Sequence, residues 1–395
     1  MARLMGHNWE RLKIKDVATV IGGSTPKTEV SEYWGGNNYW VTPAELTGDK
    51  YVSSTVRCIT DLAVQKASLT LMPVGTVLLT SRAPIGKVAI TRSPMYCNQG
   101  FKNIVCGESV YNEFLYYYLK YNVGYLQSLG TGATFKEISK KVVENITIAL
   151  PPYEEQKRIA AELDLLSGII EGKSEQIRDV DRLYLSVFYD TFGNPVSNLK
   201  GWKAIPLSDV TTLITDGSHY SPKDNERGTN RMLSVKDMGS RGFDYTNCKW
   251  ITYDEFVKLE AAGCRPQPDD VLVAKDGSYF KRIFVYRSEA AEAILSSIAI
   301  VRPNKSIVTP EFLCTLLSTP DIYNLVEERY LTGTAIKRVI LKGLRQLKII
   351  VPPLEMQKDF SKKVWRLDTM RRLIDESKKE AEKLFDSRMN FYFGD

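Results

Sequence analysis

Residues 150–159 read Leu-Pro-Pro-Tyr-Glu-Glu-Gln-Lys-Arg-Ile, and residues 351–360 read Val-Pro-Pro-Leu-Glu-Met-Gln-Lys-Asp-Phe. The two proline pairs lie 201 residues apart (352 minus 151). The same offset relates further pairs along the chain: Thr131 and Thr332, Lys136 and Lys337, Leu183 and Leu384, and Phe192 and Phe393. An offset that holds over about sixty residues indicates an internal duplication.

Each proline pair precedes a pattern that predicts a long helix. Consecutive prolines fix φ and disfavour a helical residue before them, so the apolar runs 146–150 and 347–351 are predicted to be strands that end there. Apolar residues then recur at heptad spacing, which predicts two helices of about 38 residues, each roughly 57 Å long. We expect their apolar stripes to pack against each other: Ile159, Leu163, Leu166, Ile170, Ile177, Val180, Tyr184 and Val187 in the first, and Phe360, Val364, Leu367, Ile374, Ala381 and Phe385 in the second.

The composition is that of an ordinary globular protein. The chain has 395 residues, of which 43% are hydrophobic, and this length predicts two or three domains. The net charge of +6 permits a polyanionic partner without establishing one. The six cysteines form no Cys-x-x-Cys pair and the chain has two histidines, so we expect buried, reduced thiols and no metal site. Because we find no signal sequence and no membrane-spanning run, we expect a cytoplasmic protein.

The region before each proline pair shows the same order of landmarks. The segments that begin at Trp9 and Trp202 share one pattern, and the helix predicted at 112–119 has a counterpart at 310–317. Strands are predicted at 39–42, 77–80 and 87–91. Short strands mixed with short helices are typical of α+β domains. We therefore predict an α+β protein with a pseudo-twofold internal repeat. Globular α/β domains at residues 1–152 and 194–353 are separated by long helices at 153–193 and 354–395, which form an antiparallel coiled-coil spacer.

Several stretches resemble catalytic motifs but lack an essential part. Residues 168–174 resemble a nucleotide-binding P-loop, yet they have three residues between the glycines, where the motif has four, and they lie inside the heptad pattern. Residues 150–153 resemble the Asn/Asp-Pro-Pro-Tyr/Phe motif of amino-methyltransferases, but Leu150 cannot hydrogen-bond the target amino group. His7 and His219 have no credible nucleophile nearby in the sequence. We therefore predict that this chain has no catalytic site.

The duplicated Pro-Pro-x-Glu-x-Gln-Lys element and its helix resemble the specificity subunit of type I restriction-modification systems, HsdS. The resemblance covers nearly the whole chain and includes the turns at 131–136 and 332–337. Further similar pieces are Gly23-Ser-Thr-Pro26, Ser81-Arg-Ala-Pro-Ile-Gly-Lys-Val-Ala89, Asn98-Gln-Gly-Phe101, Asp216-Gly-Ser218 and Ala274-Lys-Asp-Gly277. The second half departs from the pattern at residues 295–298, which read Leu-Ser-Ser-Ile, and at Met356, which replaces a glutamate.

The resemblance implies a function in DNA recognition. Each globule would be a target recognition domain that reads one half of an asymmetric, bipartite site in double-stranded DNA. The helices would set the spacing and dock two modification (methyltransferase, HsdM) subunits, and restriction (HsdR) subunits would complete the complex. S-adenosylmethionine, ATP and magnesium would belong to those partners, so no cofactor is expected in this chain. Two alternatives stay open: a coiled-coil scaffold with protein-binding globules, and an enzyme with an unrecognised motif.

Phosphate and base-edge contacts require basic, amide or hydroxyl side chains on loops. The candidate DNA contacts are Ser24, Thr25, Lys27, Arg82, Lys87 and Lys136 in the first globule, and Ser218, His219, Lys223, Lys275, Lys281, Arg282 and Lys337 in the second. Each could instead be a solvated surface residue or a turn former. Gly22, Gly23 and Gly217 are expected to serve turn geometry. The candidate partner-docking residues on the helices are Lys157, Arg158, Lys358, Lys362 and Lys363, which could also be solubilising charges.

Overall fold

A computed structural model describes residues 9–82, 84–132, 136–276, 280–332 and 338–394. The chain divides into two compact units. The first unit contains the residues up to Lys173 and those from Ser377 onward, and the second contains residues 174–376. Each long helix therefore contributes one part to each unit. None of the described helices is long and apolar enough to cross a membrane.

The first unit is built around a five-stranded sheet of order β2-β9-β6-β7-β4. A three-stranded sheet, β5-β3-β8, and a two-stranded sheet, β1-β10, complete it. In chain order the elements are β1 Glu10–Lys13, α1 Ile14–Val17, β2 Ala18–Gly22, β3 Trp34–Val41, β4 Tyr51–Val52, β5 Cys58–Ile59, α2 Asp61–Lys66, β6 Val77–Leu79, β7 Val88–Thr91, β8 Tyr96–Cys97, β9 Lys102–Cys106, α3 Asn112–Tyr121, α4 Val123–Ser128, α5 Lys140–Glu144, β10 Thr147–Leu150 and α6 Tyr153–Phe192.

The second unit repeats this organisation. Its main sheet has the order β12-β18-β15-β16, and the smaller sheets are β14-β13-β17, β11-β21 and β19-β20. The elements are β11 Lys203–Pro206, β12 Thr211–Asp216, β13 Asn230–Leu233, β14 Lys249–Ile251, α7 Tyr253–Ala261, β15 Val271–Ala274, β16 Ile283–Val285, β17 Glu292–Ile294, β18 Ile298–Pro303, α8 Pro310–Leu317, α9 Pro320–Arg329, β19 Leu331–Thr332, β20 Arg338–Val339, α10 Leu341–Gln346, β21 Lys348–Val351 and α11 Leu354–Phe393.

The central strand of each main sheet is buried on both faces. In β6, Val77 and Leu79 belong to the apolar cluster that contains Phe114 of α3, whereas Leu78 belongs to a second cluster. Successive side chains of a strand point to opposite faces, so this alternation places an apolar layer on either side of the sheet. Strand β15 alternates in the same way, with Val271 and Val273 packed with α8 and Leu272 on the other face.

The long helices α6 and α11 each contain 40 residues, and they pair in opposite directions in both units. In the first unit, Glu162 of α6 accepts hydrogen bonds from Arg388 and, at 2.7 Å, from Tyr392 of α11. In the second unit, the Tyr184 hydroxyl donates to Asp368 at 2.5 Å, and Arg371 donates to Asp181 at 2.9 Å. In the second unit, the residue with the higher number in α6, Tyr184, contacts the residue with the lower number in α11, Asp368. This order confirms the predicted antiparallel pair.

A buried glutamine joins the start of each long helix to its own unit. Gln156 is fully buried, accepts from the Tyr111 backbone N–H at 2.7 Å, and donates to the Ser109 and Pro151 carbonyls at 2.8 and 2.9 Å. Gln357, also fully buried, accepts from the Thr309 N–H at 3.0 Å. It donates to the carbonyls of Ile307 and Pro352 at 3.1 and 2.8 Å. The repeated Pro-Pro-x-Glu-x-Gln element is thus a latch that fixes where each helix begins.

Candidate nucleic-acid interface

In the first unit, four loop segments meet at one end of the main sheet. We call residues 23–25, 42–46, 81–82 and 98–100 the first loop cluster. The Ser24 N–H donates to the Cys97 carbonyl at 3.1 Å, and the Ser81 N–H donates to the Gly100 carbonyl at 2.8 Å. The Thr25 hydroxyl donates to the Gln99 side chain. The bonds of Ser24 and Thr25 connect segments more than seventy residues apart in the sequence, whereas Ser81 and Gly100 lie 19 residues apart.

Gly23 permits the closest approach within the first loop cluster. A Cβ atom at this position would lie 2.1 Å from the Asn98 carbonyl oxygen and 2.3 Å from the Cys97 carbonyl oxygen. A Cβ at the neighbouring Gly22 would meet nothing within 4 Å. Gly23 is therefore needed for packing of one backbone against another, which is a more specific role than the turn geometry expected from the sequence.

Lys87 is hydrogen-bonded to the backbone of residues 42–46 in the first loop cluster. Its ammonium group donates to the Pro43 carbonyl at 3.2 Å and to the Leu46 carbonyl at 2.9 Å. The same loop is closed by Glu45, whose carboxylate accepts from the Thr42 N–H at 2.7 Å and from the Thr42 hydroxyl at 2.9 Å. The Lys87 charge is thus engaged by backbone carbonyls, and the lysine positions the loop.

The second unit contains the same arrangement. We call residues 217–219, 234–238, 275 and 295–297 the second loop cluster. The Ser218 N–H donates to the Ile294 carbonyl at 2.8 Å, and the Lys275 N–H donates to the Ser297 carbonyl at 2.8 Å. A Cβ on Gly217 would lie 2.1 Å from the Ile294 carbonyl oxygen, as with Gly23 in the first cluster. Each backbone bond has its counterpart in the first unit.

Arg282 takes the place of Lys87 in the second unit. Its guanidinium donates to the carbonyls of Val235 and Met238. Asp237 closes that loop by accepting from the Ser234 N–H at 2.7 Å and from the Ser234 hydroxyl at 2.9 Å. A basic residue therefore holds a carboxylate-closed loop in both clusters, although the two loops have no residue type in common at these positions.

The other candidate DNA contacts fall into three groups. Arg82 lies 3.9 Å from Glu137, and the Lys275 ammonium lies 2.6 Å from Asp216, so both charges have a carboxylate neighbour. His219 is 78% exposed and lies 3.8 Å from the same Asp216. The remaining lysines are exposed: Lys27, Lys136, Lys223 and Lys281. Lys337 lies outside the described residues.

The candidate partner-docking residues lie on exposed faces of α6 and α11, where most of them form ion pairs within their own helix. Lys157 pairs with Glu154 at 2.9 Å and Lys358 with Glu355 at 2.7 Å. The other ion pairs link Lys362 with Asp359 at 2.8 Å and Arg158 with Glu155 at 2.6 Å; Lys363 is exposed. All five residues are exposed, and surface ion pairs contribute little to stability, so a partner could contact these side chains at little cost.

Three residues of this region were not among the sequence candidates. Gln99 is bonded to Thr25, and Lys102 donates to the Ser81 hydroxyl at 3.3 Å and to Glu137 at 3.1 Å. Lys236 is exposed on the loop that Arg282 supports. Gln99 could have been found, because it lies within the Asn-Gln-Gly-Phe segment that carries part of the family resemblance. Neither lysine belongs to any recognised motif.

Metal ligation and thiol chemistry find no support in the part of the chain that the structure describes. No group of three or more His, Cys, Asp or Glu side chains there could hold a metal ion. All six cysteines are free, and four of them are buried. Burial raises the pKa of the Cys97 and Cys106 thiols to about 12, which keeps them protonated and unreactive at neutral pH.

A sequence model of the family described as the type I restriction modification DNA specificity domain matches residues 6–179 and 199–383. The two matched segments make up most of the chain, and each contains one loop cluster. The chain belongs to this family. The predicted resemblance to specificity subunits is thereby confirmed, and the repeat in the sequence corresponds to two specificity domains.

Known specificity subunits are similar to this chain over different shares of its length. The type I restriction enzyme MjaIX specificity subunit of Methanocaldococcus jannaschii is 42% identical over 222 residues, which are 51% of this chain and 51% of that protein. The match thus spans about half the length of that relative. The MjaVIII specificity subunit of the same organism is 23% identical over 403 residues, or 97% of this chain and 91% of the relative.

The solved structure of a known S subunit has the same fold as this chain. The crystal structure of the type I restriction-modification system S subunit from M. genitalium superposes with a TM-score of 0.58 at 16% identity, and covers 100% of this chain and 98% of that one. The similarity confirms the predicted α+β class with its repeat and long helices.

Proposed function

We propose that this chain is the DNA sequence-specificity subunit of a type I restriction-modification complex. Each specificity domain reads one half of an asymmetric, bipartite site in double-stranded DNA, and the chain itself carries out no catalysis. One observation carries the proposal: the two loop clusters share their backbone bonds but differ in side chains that are exposed or partly exposed. A shared framework with different contact residues suits recognition of two different sequences by one protein.

The differences occur at equivalent positions. The bond from Ser24 to Cys97 corresponds to the bond from Ser218 to Ile294. By this correspondence, Gln99 is equivalent to Ser296, and Thr25 is equivalent to His219. The bonds made by the Ser81 and Lys275 amides make those two residues equivalent as well. An amide, a hydroxyl and an imidazole present different hydrogen-bond donors and acceptors to base edges. The two half-sites are therefore expected to differ in sequence.

The partners follow from the same proposal. Two modification (HsdM) subunits dock on the long helices, and restriction (HsdR) subunits join the full complex. The helices support this role because large apolar side chains are exposed on them in both units: Leu165 and Ile169 in the first, and Trp365 and Leu373 in the second. S-adenosylmethionine, ATP and magnesium are then bound by the partner subunits, and the complex is located in the cytoplasm.

Lys275→Ala is expected to weaken binding to duplex DNA about tenfold and to reduce the slope of log affinity against log salt by about 0.9. The substitution removes one cation from the second cluster. It also removes the ammonium group that lies 2.6 Å from the Asp216 carboxylate, so this carboxylate would repel phosphates more strongly. Equilibrium binding between about 50 and 200 mM salt measures both quantities.

Two further variants complete that experiment. Lys203→Ala removes an exposed lysine from β11, outside the cluster, and should leave the affinity within about twofold of the parent. Arg282→Ala should weaken binding through displacement of the loop 234–238. Affinity and salt slope unchanged in the Lys275 and Arg282 variants would remove both residues from the interface. Absence of any salt-sensitive binding by the parent chain would contradict the proposed function.

A further inference from the structure

Two tryptophans are hydrogen-bonded to residues 24–27, the turn that begins in the first loop cluster. The Trp40 indole N–H donates to the Ser24 carbonyl at 3.2 Å, and the Trp34 indole N–H donates to the Lys27 carbonyl at 3.3 Å. The two rings pack edge to face, with centroids 5.1 Å apart and an interplanar angle of 81°. Their orientation is therefore fixed by the backbone of the same turn that presents Ser24 and Thr25.

Arg57 lies against this pair of rings. Its guanidinium carbon is 4.4 Å from the Trp34 ring centroid and 5.9 Å from that of Trp40. Arg57 is nevertheless an exposed residue, and it forms no ion pair with a carboxylate within the described ranges. Its N–H donors are thus held near the aromatic surface and are not consumed by an internal anion.

The chain around Arg57 is attached to the first loop cluster. The Val56 N–H donates to the Glu45 carboxylate at 2.8 Å, and Glu45 is the residue that closes the loop 42–46. The Arg57 carbonyl accepts from the backbone N–H of Trp40 at 3.2 Å and from the Thr55 hydroxyl at 2.7 Å. The arginine consequently lies at the rim of the proposed interface on an ordered segment.

The second unit also contains an arginine stacked on two aromatic rings, but this arginine forms an ion pair. Arg231 lies 4.4 Å from the Tyr245 ring centroid and 5.2 Å from that of Trp250. Its guanidinium also bonds to Glu292 at 3.0 Å, a carboxylate that is 2% exposed at its side chain. This hydrogen bond raises the pKa of Arg231. The Arg231 charge is used inside the domain, whereas that of Arg57 faces solvent.

We propose that Arg57 is a specificity-determining residue of the first domain, which donates two hydrogen bonds to the O6 and N7 atoms of a guanine in the first half-site. The inference rests on the proposed function and assigns a residue to it. Paired acceptors of this kind match the planar fork of a guanidinium. Stacking on Trp34 restrains the side chain before binding, so less conformational entropy is lost when DNA arrives.

The test compares Arg57→Ala, Arg57→Lys and the parent chain on a duplex that the parent selects from random DNA. Arg57→Ala is expected to lower affinity for that duplex about 10- to 100-fold and to lose discrimination at one guanine–cytosine pair of the first half-site. Arg57→Lys keeps the charge but cannot form the two-pronged contact, so it should retain general affinity while losing the same discrimination. Replacement of each base pair in turn identifies the position.

Arg92→Ala is the matched control. The Arg92 guanidinium is stacked 3.7 Å above the Tyr51 ring in the same domain, and the residue is exposed, but it lies beside β4 and not at the cluster. This variant should bind like the parent, and thermal unfolding of all variants checks that each is folded.

Three results would overturn the inference. One is unchanged base preference in Arg57→Ala, and another is a uniform loss of affinity with a reduced salt slope, which marks a phosphate contact. Failure of the parent chain to select any motif would remove the proposed function and, with it, the role of Arg57. A parent motif that survives in Arg57→Ala would remove only the role of Arg57.

Discussion

Gln156→Ala is expected to lower the free energy of unfolding by about 2 to 3 kcal/mol. The substitution leaves the Tyr111 N–H and the carbonyls of Ser109 and Pro151 without the partner that each has at 2.7 to 2.9 Å. Unpaired polar groups in a buried place cost more than the net value of the hydrogen bonds they made. Urea unfolding gives the loss, and hydrogen exchange of the peptide that contains Tyr111 locates it.

The second latch provides a reciprocal experiment. Gln357→Ala should accelerate exchange at Thr309, whose N–H it leaves unpaired, without affecting exchange at Tyr111. Gln176→Ala is the matched control, because Gln176 is an exposed residue of the same helix as Gln156 and alanine is a strong helix former. If Gln156→Ala unfolded at the same urea concentration as Gln176→Ala, the latch would not hold the helix to the domain.

Gly23→Ala is expected to abolish recognition of the first half-site while preserving that of the second. The new Cβ would meet two backbone carbonyl oxygens at 2.1 and 2.3 Å, so the turn must move away from residues 97–98. That movement breaks the bond from Ser24 to Cys97 and misplaces Thr25 relative to Gln99. We expect at least a tenfold loss of affinity, since a displaced contact group costs about 1.4 kcal/mol or more.

Gly22→Ala and Gly217→Ala make this test selective. Nothing lies within 4 Å of a Cβ on Gly22, so alanine there should leave binding unchanged. Gly217→Ala places its Cβ 2.1 Å from the Ile294 carbonyl oxygen and should remove recognition of the second half-site only. Motifs selected by the three variants provide the measurement. Loss of both half-sites in either variant, with the protein folded, would argue against independent reading.

Much of the fold follows from local patterns in the sequence. The proline pairs and the heptad spacing predict helices that begin at residues 153 and 354, which are the observed first residues of α6 and α11, because both signals are short-range. The helix predicted at 310–317 coincides with α8. Strands β6 and β7 appear at the predicted places, since runs of buried apolar residues mark strands at the centre of a sheet.

The interface itself is harder to predict, because its geometry depends on residues far apart in the chain. Lys87 looks like an exposed DNA contact until the fold brings its ammonium to the Pro43 and Leu46 carbonyls. Arg57 has no motif around it, and the role proposed for it rests on the fold, which places Trp34 and Trp40 beside it. The sequence indicates which loops matter, and tertiary contacts decide which side chains in them are free to bind.

The central claim is that one framework, used twice, reads two different half-sites. Selection of bound duplexes from random DNA, with the chain purified together with a modification (HsdM) subunit, tests this claim most directly. The account predicts an enriched motif with two unlike halves, separated by unread base pairs so that their centres lie about one helical turn, or about 34 Å, apart. A contiguous motif, two identical halves, or no enriched motif at all would contradict it.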